Sequence, residues 1–365
     1  MKNRNAYKFL FLALGLPLLL NSCLKDSEEV TRVSYSADEY EVLSQTLDLP
    51  ETVNDYDGFD QDFFGVPTDH RGTLGRVLFY DPALSANNAV SCASCHHQEH
   101  GFADPVAKSE GFEGLETRRN SLMLTGGIEY YSTARFFWDE RAETVEDQIR
   151  MTLTDHIEMG ADLATLPQKF DDNEAYRILF RKAFGDEKVT SDRIVTALSD
   201  FVASVNSTNS RYEVARNTFS QFEENGLTLY SNNCQGCHGD PRFGPFENTA
   251  NNGLDLDYSA DRGLAEVSNK SEDEGRFKVP LLKNVALTWP YMHDGRFATL
   301  EEVVDHYSEG IQAHPNVGQQ LRDPLTGEVS PMNFSDEEKD QLIAFLHTLT
   351  DESFKTEPKW SDPFK

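Results

Sequence analysis

Cysteine is scarce, with five in 365 residues, far too few for a disulfide framework. Basic residues are also few: 33 Lys and Arg stand against 62 Asp and Glu, for a formal net charge of −29. Such a balance excludes a nucleic-acid binder, because contacts to phosphate need Lys and Arg. A basic or neutral macromolecular partner suits the long-range field, and solubility alone accounts for the charge equally well. No stretch sustains the apolar–polar alternation of half-buried strands, which leaves an all-α class with long loops. The apolar run Phe9 to Leu20 is too short for a comfortable membrane span.

That run follows Lys2, Arg4 and Lys8, the plan of an export signal, and ends at Leu20-Asn21-Ser22-Cys23. The ending resembles the lipobox of bacterial lipoproteins, in which Cys23 becomes the lipidated first residue and tethers the protein to a membrane. Lys25 to Glu29 behind it suit such a tether; a free cysteine beside an ordinary cleavage site is the plainer alternative. Removing Met1 to Ser22 takes away three basic residues and no acidic one, moving the charge from −29 to −32.

The other four cysteines stand in Cys92-Ala93-Ser94-Cys95-His96 and Cys234-Gln235-Gly236-Cys237-His238. Each is spaced for a covalent c-type haem, with two thiols for thioether bonds and a histidine, His96 or His238, for the iron. A zinc-binding cysteine pair is the alternative reading. Two copies behind an export signal favour haem, whose attachment takes place outside the cytoplasm in bacteria. This length fits two domains of about 100–200 residues each. The expected organisation is a signal over 1–22, a tether and arm over 23–62, a first haem domain over 63–207, a second over 208–355 and a tail over 356–365.

Within that frame, Leu74 to Phe79 reads as a short helix stopped by Asp81-Pro82, and loops run from His96 to about Gly127. Val145, Ile149 and Thr152/Leu153 share one helical face; so do Ile194, Val195, Leu198, Phe201, Val202 and Val205. The polar run Asn206 to Ser210 is the natural boundary. Beyond it a helix is expected over Glu213 to Tyr230, then the second motif and a loop section to about Arg276. Thr299 with Glu302 and Ser335 with Glu338 are capping boxes that open two further helices, the first ended by Gly310.

Several longer motifs stand in order along the chain: Leu74-Gly75 to Phe79, Leu84-Ser85, Gly101-Phe102-Ala103-Asp104, Arg119-Asn120-Ser121, Phe137-Trp138-Asp139, Gln148, Glu158-Met159-Gly160, Val279-Pro280 and Tyr291-Met292-His293-Asp294-Gly295-Arg296. With the two haem motifs they resemble the bacterial dihaem cytochrome c peroxidase and MauG superfamily, over about Gly72 to Asp351. The resemblance implies two cytochrome c-like domains. The first haem is the peroxidatic one, with Glu158 handling protons beside it and Gln148 as neighbour. The resemblance likewise implies that Trp138 lies between the haems and helps electrons cross. The second haem receives electrons from a small donor such as cytochrome c, and hydrogen peroxide is reduced at the first.

Two departures bear on activity. In the resembling peroxidases the loop after the first motif supplies a removable histidine to the iron; Ser109 to Arg119 contains none, so the first haem is expected to be open. His97 and His100 are then pocket-rim residues. The sixth ligand of the second haem, a methionine in the peroxidases and a tyrosine in MauG, matches Tyr307, with Met292 and His306 as rivals. Tyrosine there leans toward MauG-like oxidation of a protein or organic substrate, a second reading; a non-catalytic electron carrier is the third. The resemblance also implies one Ca²⁺, held by the Asn120 side chain and the carbonyls of Thr288 and Pro290, neutral oxygen donors that suit this ion.

Overall fold

The computed structural model describes residues 35–54, 56, 69–126 and 134–365. The signal segment, Cys23 and the first part of the tether lie outside the described residues. The arm begins with α1 (Ala37–Leu43), capped by Ser36 and Glu39. Glu39 pairs with Arg181 at 3.1 Å and Lys182 at 2.8 Å, which lays α1 on a first lobe, built on the core that holds Phe79 and Phe201; a second lobe is built on the core that holds Tyr230 and Phe345.

α2 (Asp69–Tyr80) ends where Asp81 turns to accept from the Ala83 amide at 2.7 Å. α3 (Val145–Thr154) is capped by Thr144 and buries Val145, Ile149 and Leu153, the face read from the sequence. α4 (Glu174–Phe184) was not expected, although Asn173 caps it and Gly185 closes it with φ 84°. α5 (Ser191–Ser204) carries the wide apolar stripe. α2 and α5 cross at Gly75, where any side chain would overlap the Ala197 carbonyl and the Cβ of Phe201.

In the second lobe the single helix expected over Glu213 to Tyr230 is broken. One helical turn covers Arg211–Val214, and α6 (Gln221–Asn233) starts afresh. The reason is local: Ser220 and Glu223 form a capping box, with the Ser220 amide donating to Glu223 at 2.7 Å. Within the loop section β1 (Thr249–Ala250) pairs antiparallel with β2 (Phe277–Lys278), strands too short for alternation to show. α7 (Leu300–Asp305) follows its predicted cap at Thr299 and runs into a π turn over His306–Gly310; α8 (Asp336–His347) follows Ser335. α6 and α8 repeat the first lobe's crossing: a side chain on Gly226 would overlap the Gln341 carbonyl and press the Cβ of Phe345. Each lobe thus packs a glycine of the helix before its cysteines against a fully buried phenylalanine, Phe201 or Phe345.

Residues after the second lobe return to the first. Phe354 and Trp360 belong to its core, their ring centroids 4.8 Å apart. The hydroxyls of Tyr56 and Tyr80 donate to the Lys359 and Trp360 carbonyls, at 3.0 and 2.7 Å, and Arg76 donates to the Ser361 carbonyl at 2.6 Å. The segment expected as a plain tail is therefore a structural part of the first lobe. Among the described residues no helix is long and apolar enough to cross a membrane.

Candidate active site

The first motif opens onto a cavity of about 510 Å³ lined by Cys92, Cys95 and His96. His96 donates from Nδ1 to the Phe102 carbonyl at 2.7 Å, which leaves Nε2 for a metal. Burial lowers its pKa, so the imidazole is neutral. The second cavity, about 190 Å³, repeats the set with Cys234, Cys237 and His238, whose Nδ1 donates to the Pro280 carbonyl at 3.0 Å. Burial pushes the Cys92 and Cys234 thiols up to about 12. Two thiols and one oriented imidazole on the wall of each cavity fit a haem held by thioethers and one histidine. Among the described residues no three His, Cys, Asp or Glu side chains converge on a metal position.

Glu158 lines the first cavity with Gln148 and Thr152, which stand one turn apart on α3. Gln148 donates from Nε2 to the Thr152 hydroxyl at 3.2 Å, and that hydroxyl bonds the Glu158 carboxyl. Burial raises the Glu158 pKa, Thr152 opposes the shift, Asp155 adds to it and Arg141 counters it. The sequence places Thr152 on a helix face without linking it to Glu158, although its place four residues after Gln148 was available as a signal. The Glu158 carbonyl accepts from the Phe112 amide at 2.9 Å, fixing the segment against the loop from Ser109 to Arg119. That loop is closed by Thr117 donating to the Ser109 carbonyl at 2.8 Å, and Gly111 abuts the Ile157 carbonyl. His96 is the only histidine lining the cavity among the described residues. The expected rim residues His97 and His100 do not line it: His97 faces Asp104 at 3.9 Å, and the His100 ring meets Trp289 edge-on at 5.5 Å.

Trp138 lines both cavities. Its indole donates to the Asn120 carbonyl at 2.8 Å, and its neighbour Asp139 pairs with the buried Arg119 at 2.6 Å. Arg119 reaches on to Asp261 of the second lobe at 2.7 Å. Beside Trp138, at 6.5 Å between centroids, His293 stacks on Phe277 at 3.6 Å. Burial takes His293 down to about 4, so it too is neutral.

Across the second cavity, Tyr307 and Met292 both line the wall. They meet at the Asn252 side-chain nitrogen, 3.5 Å from the Tyr307 hydroxyl and 3.4 Å from the Met292 sulfur. Burial pushes the Tyr307 phenol up to about 12. His306, the other rival, does not line this cavity, and its Nε2 is engaged by the Asn252 carbonyl at 3.1 Å. Of the residues expected at calcium, Asn120 donates from its side chain to the Val106 carbonyl at 3.1 Å, the Thr288 hydroxyl donates to Val285 at 3.2 Å, and Pro290 is buried.

Residues 69–218 match the family described as di-haem cytochrome c peroxidase, and residues 223–350 match cytochrome c. The methylamine utilization protein MauG of Methylorubrum extorquens is 31% identical over 77% of this chain and 78% of its own. The chain belongs to the di-haem cytochrome c peroxidase and MauG family. Another member, cytochrome c551 peroxidase of Nitrosomonas europaea, is 30% identical over 76% of this chain and 79% of its own. Among solved structures, a MauG-like protein associated with microbial copper homeostasis aligns with a TM-score of 0.72 and 35% identity, over 87% of this chain and 98% of that one. The chain is accordingly an oxidoreductase with two c-type haems in the mostly helical architecture of this family. Named peroxidases and MauG proteins resemble it almost equally, so relatedness alone does not choose between their activities.

Proposed function

We propose that the chain is a peroxidase that reduces H₂O₂ to water with electrons from a small donor such as cytochrome c, the first cavity being the working site. One observation carries the reading: a half-buried carboxyl, Glu158, stands in a cavity whose only histidine among the described residues is His96. Held through Cys92, Cys95 and His96, a c-type haem supplies an iron able to bind and cleave peroxide. Glu158 takes a proton from the incoming peroxide and returns it to the departing oxygen, a role that its raised pKa suits. Gln148 and Thr152 hold the carboxyl in that place. Electrons enter on the side of Cys234, Cys237 and His238 and cross at Trp138, whose indole is fixed by Asn120.

Peroxide-dependent oxidation of reduced cytochrome c, with the first haem high-spin in the oxidised protein, tests the reading. Two low-spin six-coordinate haems inert to peroxide would leave only an electron carrier. A second reading, MauG-like oxidation of a protein or organic substrate, is favoured by Tyr307 on the wall of the second cavity. We also propose a Ca²⁺ between the Asn120 side chain and the Thr288 and Pro290 carbonyls, export through Met1 to Ser22, and lipidation at Cys23. Metal analysis before and after chelation checks the first. Detergent phase partition of the native protein against C23A checks the last.

A further inference from the structure

The turn that carries Trp138 is held in an uphill backbone shape. Phe137 and Glu140 have φ of 65° and 56°, left-handed values that non-glycine residues keep only under outside support. Within the turn, Phe136 donates to the Ala142 carbonyl at 2.9 Å and Glu140 to the Phe137 carbonyl at 3.2 Å. Tyr258, Phe277 and His293 of the second lobe pack beside the Trp138 ring, and Lys278 of β2 reaches the backbone of the turn. The Lys278 amide donates to the Trp138 carbonyl at 2.7 Å, and its Nζ donates to the Arg135 carbonyl at 2.6 Å. The side chain is 7% exposed, lines both cavities, and faces the buried Glu140 carboxylate at 3.9 Å. That Glu140 oxygen has no hydrogen bond among the described residues; Lys278 is the cation that offsets it most, ahead of Arg135 and Arg276.

We propose that Lys278 is a positioning residue: it clamps the Trp138 turn at two carbonyls and so sets how well electrons cross between the two haem cavities. No bond forms or breaks; one electron at a time leaves the second haem and arrives at the first. The proposal rests on Trp138 being the crossing, as put forward above.

The test uses the haem-loaded full chain as native protein, K278M, K278R and W138F. Two quantities are measured: hydrogen exchange at the Phe136 and Glu140 amides, and the rate at which an electron given by ascorbate to the second haem reaches the first, corrected for any change in the two potentials. K278M speeds exchange and slows transfer by at least about tenfold each, because an apolar chain of similar length leaves the Arg135 carbonyl unbonded. K278R keeps a donor and stays within about threefold of native in both. Native-like exchange and transfer in K278M overturn the proposal, as does a tenfold change in K278R. Should K278M fail to load its haems, K278Q, polar, uncharged and shorter, takes its place under the limits set for K278M. If W138F transfers at the native rate, the crossing lies elsewhere; the reading of Trp138 then fails separately, and the clamp is judged by exchange alone.

Discussion

The Trp138 indole donates to the Asn120 carbonyl at 2.8 Å, while the Asn120 amide donates to the His293 carbonyl at the same 2.8 Å. Asn120 is buried, so its main chain relays position between an aromatic side chain of the first lobe and a loop of the second. Trp138→Phe leaves that carbonyl without its donor. The expected cost is about 1–3 kcal/mol, read as a lower denaturant midpoint at unchanged slope. A midpoint equal to native would show that the bond contributes nothing to holding the turn.

Glu158→Gln is expected to lower peroxide-dependent turnover at least about tenfold, because the amide cannot exchange the proton. The same variant carries a pH signature in stability. Burial raises the folded pKa of Glu158 above its unfolded value of about 4.3. Below that value both states are protonated and the stabilisation is complete; it is lost as pH rises through the folded pKa. Relative to native, E158Q therefore gains stability between pH 4 and neutrality. Thermal unfolding of both proteins across that range checks the sign, and parallel curves would contradict it.

If Tyr307 is the sixth ligand of the second haem, Tyr307→Met raises the potential of that haem, since thioether ligation favours the reduced iron. Met292→Leu then leaves its optical spectrum unchanged. The opposite pair of results would assign the position to Met292, the other side chain at Asn252. Turnover adds a second discrimination. Y307M retains peroxide turnover under the peroxidase reading, and under the MauG-like one it loses oxidation of the organic substrate.

Trp360 is buried in the first core against Phe354. Trp360→Ala is expected to cost about 3–5 kcal/mol, as for other large core truncations, and to do so in the first lobe. Calorimetry, with haem absorbance followed in parallel, should show the transition of the first lobe falling in temperature. An unshifted transition would mean that the returning segment only covers a surface.

The sequence was most legible where chemistry fixes spacing. The two cysteine motifs, the caps at Thr299 and Ser335 and the face of α3 all stand where residue order puts them. It was least legible where a local signal competed with a longer pattern. Ser220 and Glu223 interrupt a run that reads as one helix, because a capping box satisfies amides that a continuous helix would already use. Tertiary relations left still less trace. Nothing in Val303 to Tyr307 tells that His306 turns to the Asn252 carbonyl while Tyr307 faces the cavity. Thr152 and Lys278 join the site only through folding, one by a helical turn and the other by a two-residue strand pairing.

The return of Phe354 and Trp360 has a consequence for maturation. Synthesis delivers a chain in sequence order. The core behind Cys92 and Cys95 stays unfinished until the whole second lobe has emerged. Haem joined to the earlier motif during synthesis would thus meet an unfinished fold, and the closing of that fold would wait on residues that follow the later motif.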